Sequence, residues 1–176
     1  MSKYETPLLN RQDCGEMDMR TCYHSFFENA AVNDVLIFQM GLAYSYYGVN
    51  GHKRIDMRSW MLHDAAAFKG HIEAVFPGTV FWLSMSPKKQ TNATNSSPKA
   101  ILGRNLMYEN NLLLSKIFFP SSGVKQNWYQ IDLWSICFDR PQYYDDELHF
   151  GHPPLATTIN NQILNRLCPA AVPGKT

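Results

Sequence analysis

The sequence predicts an α/β fold in which a mostly parallel sheet lies between two layers of helices. Three observations carry that prediction. Short runs of β-branched, aromatic and other apolar residues begin near residues 34, 79 and 127, and the first two are too uniformly apolar for half-exposed strands. Each is followed by a longer stretch with the three-four spacing of an amphipathic helix. The strand-like and helix-like segments alternate, the pattern of parallel strands joined by helical crossovers.

The elements follow in order. Residues 1–30 are polar and irregular, with Tyr23, Phe26 and Phe27 as their anchors. Asp34 to Met40 reads as a strand buried on both faces that ends at Gly41. Tyr44 to Lys53 is a loop. Asp56 to Phe76 is the clearest helix, its stripe formed by Met57, Trp60, Met61, Ala65, Phe68, Ile72, Val75 and Phe76, and Pro77-Gly78 stops it. Thr79 to Met85 is a second buried strand. Lys88 to Lys99, rich in Asn, Ser, Thr and Lys, is an exposed loop. Ile101 to Phe118 is a helix with Leu102, Leu106, Leu113 and Ile117 on one side. Asn127 to Phe138 is the third strand, around Tyr129, Ile131, Leu133 and Ile136. Pro153 to Leu167 is the last helix, with Leu155, Ile159, Ile163 and Leu167 at four-residue steps and proline in its first turn. Residues 31–168 form the domain and 169–176 a tail.

Composition narrows the function classes. Apolar residues are 45% of the chain and charged residues 18%, enough to build a core and too few charges for disorder. The formal net charge of +1, with no basic block, gives no electrostatic case for nucleic acid or an anionic membrane. No run approaches the roughly 18 apolar residues of a spanning helix. Cys14, Cys22, Cys137 and Cys168 make either two bridges or four reduced thiols, Cys14 and Cys22 being the closest pair in sequence. They show no Cys-x-x-Cys spacing, so no metal site and no cofactor are expected. Met1 to Arg20 lacks the apolar core of a signal peptide. Even so, the acceptor sequences at Asn92 and Asn95 hint at glycosylation, and with it the secretory-pathway lumen or an extracellular location.

In parallel sheets, sites form outside the carboxyl ends of the strands. Gly41–Gly51, Ser84–Lys89 and Asp139–His152 fall there. The third segment holds Asp146 and His149 in an aromatic-rich stretch, spaced so that one loop delivers an imidazole and the carboxylate that orients it. Asp145 and His152 are neighbours with which those roles could be exchanged. Ser84 and Ser86 read as turn residues. Tyr44, Tyr46 and Tyr47 either stack on a sugar or pack over the sheet end.

The chain resembles the SGNH (GDSL-like) esterase and acyltransferase superfamily, in its PC-esterase-like branch, over roughly residues 34–168. The likeness rests on four blocks: Asp34 to Leu42, Phe81 to Pro87 with its Ser-Pro exit, Gln130 to Trp134, and Asp146-Glu147-Leu148-His149-Phe150 ahead of the final helix. It implies a three-layer αβα domain that hydrolyses or transfers acyl groups, often acetyl groups on carbohydrate. His149 would be the general base, Asp146 its orienting carboxylate and Gly41 a backbone donor to the oxyanion. The family's Gly-Asp-Ser turn has no counterpart before residue 34, and Leu42, Ala43 and Tyr44 stand where an oxyanion Asn is expected. The expectation is therefore a partial or degenerate domain lacking its first βα unit. It would be an acyl-ester enzyme's C-terminal portion or, alternatively, a non-catalytic carbohydrate-binding or interaction module.

Overall fold

A computed structural model of the chain describes residues 27–41, 54–87, 98–123, 125–144 and 153–168. Their elements are β1 (Val35–Gln39), α1 (Arg54–Val75), β2 (Thr79–Leu83), α2 (Pro98–Phe118), β3 (Trp128–Ile131), α3 (Leu133–Cys137), a 3-10 turn at Pro141–Tyr143, and α4 (Pro153–Leu167). The three strands form one parallel sheet in the order β1-β2-β3, with Ile37 beside Phe81 and Phe81 beside Tyr129.

Strand order decides the layers. Two consecutive crossovers stepping in one direction place α1 and α2 on the same face, because such crossovers are right-handed. Leu36, Phe38, Val80, Trp82 and Trp128 point to that face and meet Met57, Met61, Ala65, Phe68 and Ile72 of α1 and Met107, Leu114 and Phe118 of α2. The aromatic rings pack edge-on, with Phe38 4.9 Å from Phe68 and 5.2 Å from Phe118. On the opposite face Phe81, Ile131 and Leu133 are covered by Ile159 and Ile163 of α4. The chain is thus a mixed αβα fold. Polar ties join α1 to α2: Arg58 Nη2 meets Glu109 Oε2 at 2.5 Å, and Lys69 Nζ donates to the Ile117 carbonyl at 3.0 Å.

Three expectations are corrected. The third strand ends at Ile131 rather than Phe138, because Asp132 caps a helix instead: it accepts from the Ser135 N–H at 3.3 Å and the Ser135 hydroxyl at 2.5 Å. The apolar stripe of α2 is rotated. Met107, Leu114 and Phe118 are buried together with Asn110 and Asn111, whereas Leu106, Leu113 and Ile117 are half-buried. Two asparagines fill positions that a purely apolar stripe passes over. Finally, β1 is not buried on both faces: Val35 and Ile37 remain 37% and 48% exposed. They share a face with Phe81, but α4 packs over β2 and β3 and leaves β1 bare.

The strands are also tied at their beginnings. Thr79 N–H donates to the Asp34 carbonyl at 2.9 Å, Val80 N–H donates to the Asn127 carbonyl at 2.9 Å, and the Asn127 amide donates to the Gly78 carbonyl. A Cβ at Gly78 would fall on the Asp34 carbonyl and lie 2.9 Å from Phe76 Cζ, whereas one at Gly70 in α1 meets nothing within 4 Å. The two glycines therefore respond oppositely to alanine. Gly78→Ala should lower unfolding free energy by roughly 1–3 kcal/mol through overpacking, and Gly70→Ala should raise it by about 0.5–1 kcal/mol through helix propensity. Urea denaturation of both variants checks the pair.

Candidate functional site

Because all three strands run the same way, their carboxyl ends share one rim. β1 delivers Gly41 there, β2 delivers Ser84–Pro87, and β3 delivers Asp132–Trp134. Side chains then bind these exits to one another.

Gly41 has φ +114°, where glycine is favoured, and a Cβ on it would lie 2.8 Å from Leu114 Cδ1 and 2.9 Å from Met85 Cε. Close packing of β1's exit against β2's exit is therefore sufficient reason for glycine here. Met85 is fully buried just past β2, so its peptide groups are cut off from water. Asn111 satisfies both: its Oδ1 accepts from the Met85 N–H and its Nδ2 donates to the Met85 carbonyl, each at 2.8 Å. One buried amide on α2 thus pairs with both peptide groups of Met85 beyond the end of the strand. Gln39 Nε2 adds a bond to the Ser84 carbonyl at 3.0 Å, joining β1 to β2.

Ser84 links β2 to β3. Its hydroxyl donates to Asp132 Oδ1 at 3.2 Å and accepts from the Trp134 N–H at 3.2 Å. Ser84 is fully buried and Ser86 nearly so. They stand in an irregular strand exit and not in the turn the sequence suggests, and the Ser84 N–H still donates to the Ile131 carbonyl at 3.0 Å.

The next tie comes from Tyr144. Its hydroxyl donates to the Pro87 carbonyl, and its ring packs with Cys137 and Leu155 in a small separate core. Burial is the main reason that its phenol is pushed up, with the Cys137 thiol beside it adding to the effect. Burial likewise pushes Cys137 up to about 11, against the lowering influence of Tyr144 and Arg140. Cys137 is buried and stands on α3, not on the third strand predicted to run through it. Cys137 and Cys168 are free thiols.

Asp146 and His149 lie outside the described residues, as do Asp145, His152, Tyr44, Tyr46, Tyr47, Asn92, Asn95, Cys14 and Cys22. The structure does describe both flanks of the Asp-x-x-His segment: Tyr144, fixed at the exit of β2, and Pro153, which opens α4. Of the proposed site residues it describes Gly41. Among the described residues His63 Nδ1 lies 3.2 Å from Asp64 Oδ1, but this pair is midway along α1, with the imidazole 77% exposed. No group of three metal-ligating side chains occurs among the described residues, and no described helix is long and apolar enough to cross a membrane. Sequence reasoning passed over Asn111 and Asp132, two of the side chains that hold the rim together. The N-cap pattern Asp132-x-x-Ser135 was the available signal for the second.

Three outcomes are expected. Asn111→Leu removes both bonds to the buried Met85 peptide groups and should cost about 2–6 kcal/mol in urea unfolding, at about 1–3 kcal/mol for each buried bond lost. The folded pKa of Cys137, about 11, exceeds its ordinary 9.0, so the neutral thiol is favoured in the fold. Its contribution is fully present below pH 9.0 and is lost as pH rises through about 11. The wild type should therefore lose stability relative to Cys137→Ala across that window. At pH 8, peptide mapping after iodoacetamide treatment should find Cys168 alkylated and Cys137 protected. No family model matches this chain, and no curated protein sequence matches it either.

Proposed function

We propose that this chain carries the C-terminal portion of an SGNH-type domain that acts on acyl esters, with acetylated carbohydrate as the substrate class, by hydrolysis or by transfer to a hydroxyl. The observation that carries the reading is the anchoring of Tyr144 at the carboxyl end of β2. The segment bearing Asp146 and His149 begins two residues later and ends at α4, which packs on the sheet face opposite α1 and α2. α/β sheets hold their reactive groups beyond the carboxyl ends of their strands, and Tyr144 ties the start of this segment to the residues after β2.

In this reading His149 takes the proton from a serine hydroxyl as it attacks the acyl carbon, then returns it to the leaving alcohol. Asp146 holds the imidazole in the required tautomer and stabilises its protonated form. The Gly41 backbone contributes to the oxyanion site. Ser84 and Ser86 are buried and engaged in the rim, so the nucleophile is assigned to a βα unit beside β1. The bare, apolar Val35 and Ile37 support an additional element on that side. Acting in the secretory-pathway lumen or outside the cell, such a protein would encounter glycan esters, and the Asn92 and Asn95 sequons fit that setting.

A second reading, a carbohydrate-binding module without turnover, is favoured by the engagement of both rim serines. The two readings separate on p-nitrophenyl acetate. Protein that carries this chain together with a preceding Gly-Asp-Ser βα unit should turn the ester over, and His149→Ala should reduce kcat by about 10⁴-fold or more. Turnover indifferent to His149, or none above buffer, would defeat the esterase reading.

A further inference from the structure

Beside the rim, outside β3, three aromatic rings stand together at the surface. Trp134 of α3 lies 5.2 Å from Tyr108 of α2, centre to centre, and 6.4 Å from Phe138, with which it is stacked at 29°. Tyr108 is 46% exposed and Phe138 45% exposed. With Asn105 and Ser135 they line an open hollow of about 620 Å³, within the size range of small-molecule sites. Single exposed apolar residues need no explanation, but a contiguous aromatic patch with polar groups at its edge does.

We propose that Tyr108, Trp134 and Phe138, with Asn105 and Ser135, form a subsite for a neutral saccharide. The rings supply flat apolar surface for the C–H face of a pyranose. The Asn105 amide offers a donor and an acceptor for sugar hydroxyls. The Ser135 hydroxyl donates a hydrogen bond to Asp132 and keeps lone pairs for a ligand donor. None of the described lining groups is charged, which matches an uncharged ligand and provides no partner for a phosphate or carboxylate. The shelf is also held in place before any ligand arrives. The Trp134 N–H is bonded to Ser84, its ring packs against the main core, and the Phe138 N–H donates to the Trp134 carbonyl at 2.9 Å. A rigid aromatic platform loses little conformational freedom on binding.

The assignment uses none of the residues in the ester chemistry and stands or falls separately from it. The test is isothermal titration of the full chain with cellohexaose and with maltohexaose, alongside tryptophan fluorescence. At least one hexasaccharide should bind saturably and perturb the indole emission. Tyr108→Ala and Phe138→Ala, both at exposed positions, should each weaken binding about tenfold with unchanged thermal unfolding. His149→Ala should bind as the wild type does, which separates this subsite from the catalytic reading. Failure of both sugars to bind, or binding indifferent to both ring substitutions, would overturn the proposal.

Discussion

β2 is the strand on which the rest of the molecule depends. It pairs with a neighbour on each side and is covered on both faces, by α1 and α2 over Val80 and Trp82 and by α4 over Phe81. Such a strand has no solvent side, so the backbone groups at its exit cannot turn to water. Whatever follows Leu83 must find its hydrogen bonds inside the protein. Asn111 supplies them for Met85, Gln39 for the Ser84 carbonyl, and the Ser84 hydroxyl closes the gap to Asp132 and Trp134. Together they turn three separate strand ends into one connected surface.

That surface is the physical link from fold to function. Catalytic loops need a scaffold that does not yield when a ligand presses on it. Here the scaffold is fixed by paired polar groups in a dry setting, where each bond is stronger than in water and its loss more costly. Tyr144 extends the same network to the residue that precedes the Asp-x-x-His segment. Trp134 extends it to the aromatic shelf, because the amide that orients its backbone is bonded to the serine at the exit of β2.

How far the sequence revealed this differs from element to element. The stripe of α1 was legible because Met57, Met61, Ala65, Phe68 and Ile72 obey a single period and all are buried. β1 and β2 were legible as apolar runs, but the exposure of Val35 and Ile37 was not: it depends on how far α4 reaches across the sheet, which no local pattern encodes. The boundary between β3 and α3 was misread since Leu133 and Ile136 suit either state, and the cap at Asp132 decides between them. Asn110 and Asn111 fall off the predicted apolar stripe, yet Asn111 is buried because it pairs with Met85 beyond a strand far away in sequence. The Asp146 and His149 pair was visible as spacing alone. The aromatic shelf was not visible at all, because Tyr108 and Trp134 come from different elements that only the fold brings together.

If, as proposed, the carboxylate of Asp146 braces the imidazole of His149 at this rim, the nitrogen-bound protons of that imidazole report on it most directly. Two-dimensional ¹H–¹⁵N spectra of the histidine ring, with wild type and Asp146→Asn compared at neutral pH, make the test. The account expects one dominant tautomer protonated at Nδ1, its proton shifted downfield and protected from exchange, with both features lost in the variant. An imidazole that averages its tautomers as a free side chain does, unchanged by Asp146→Asn, would contradict it.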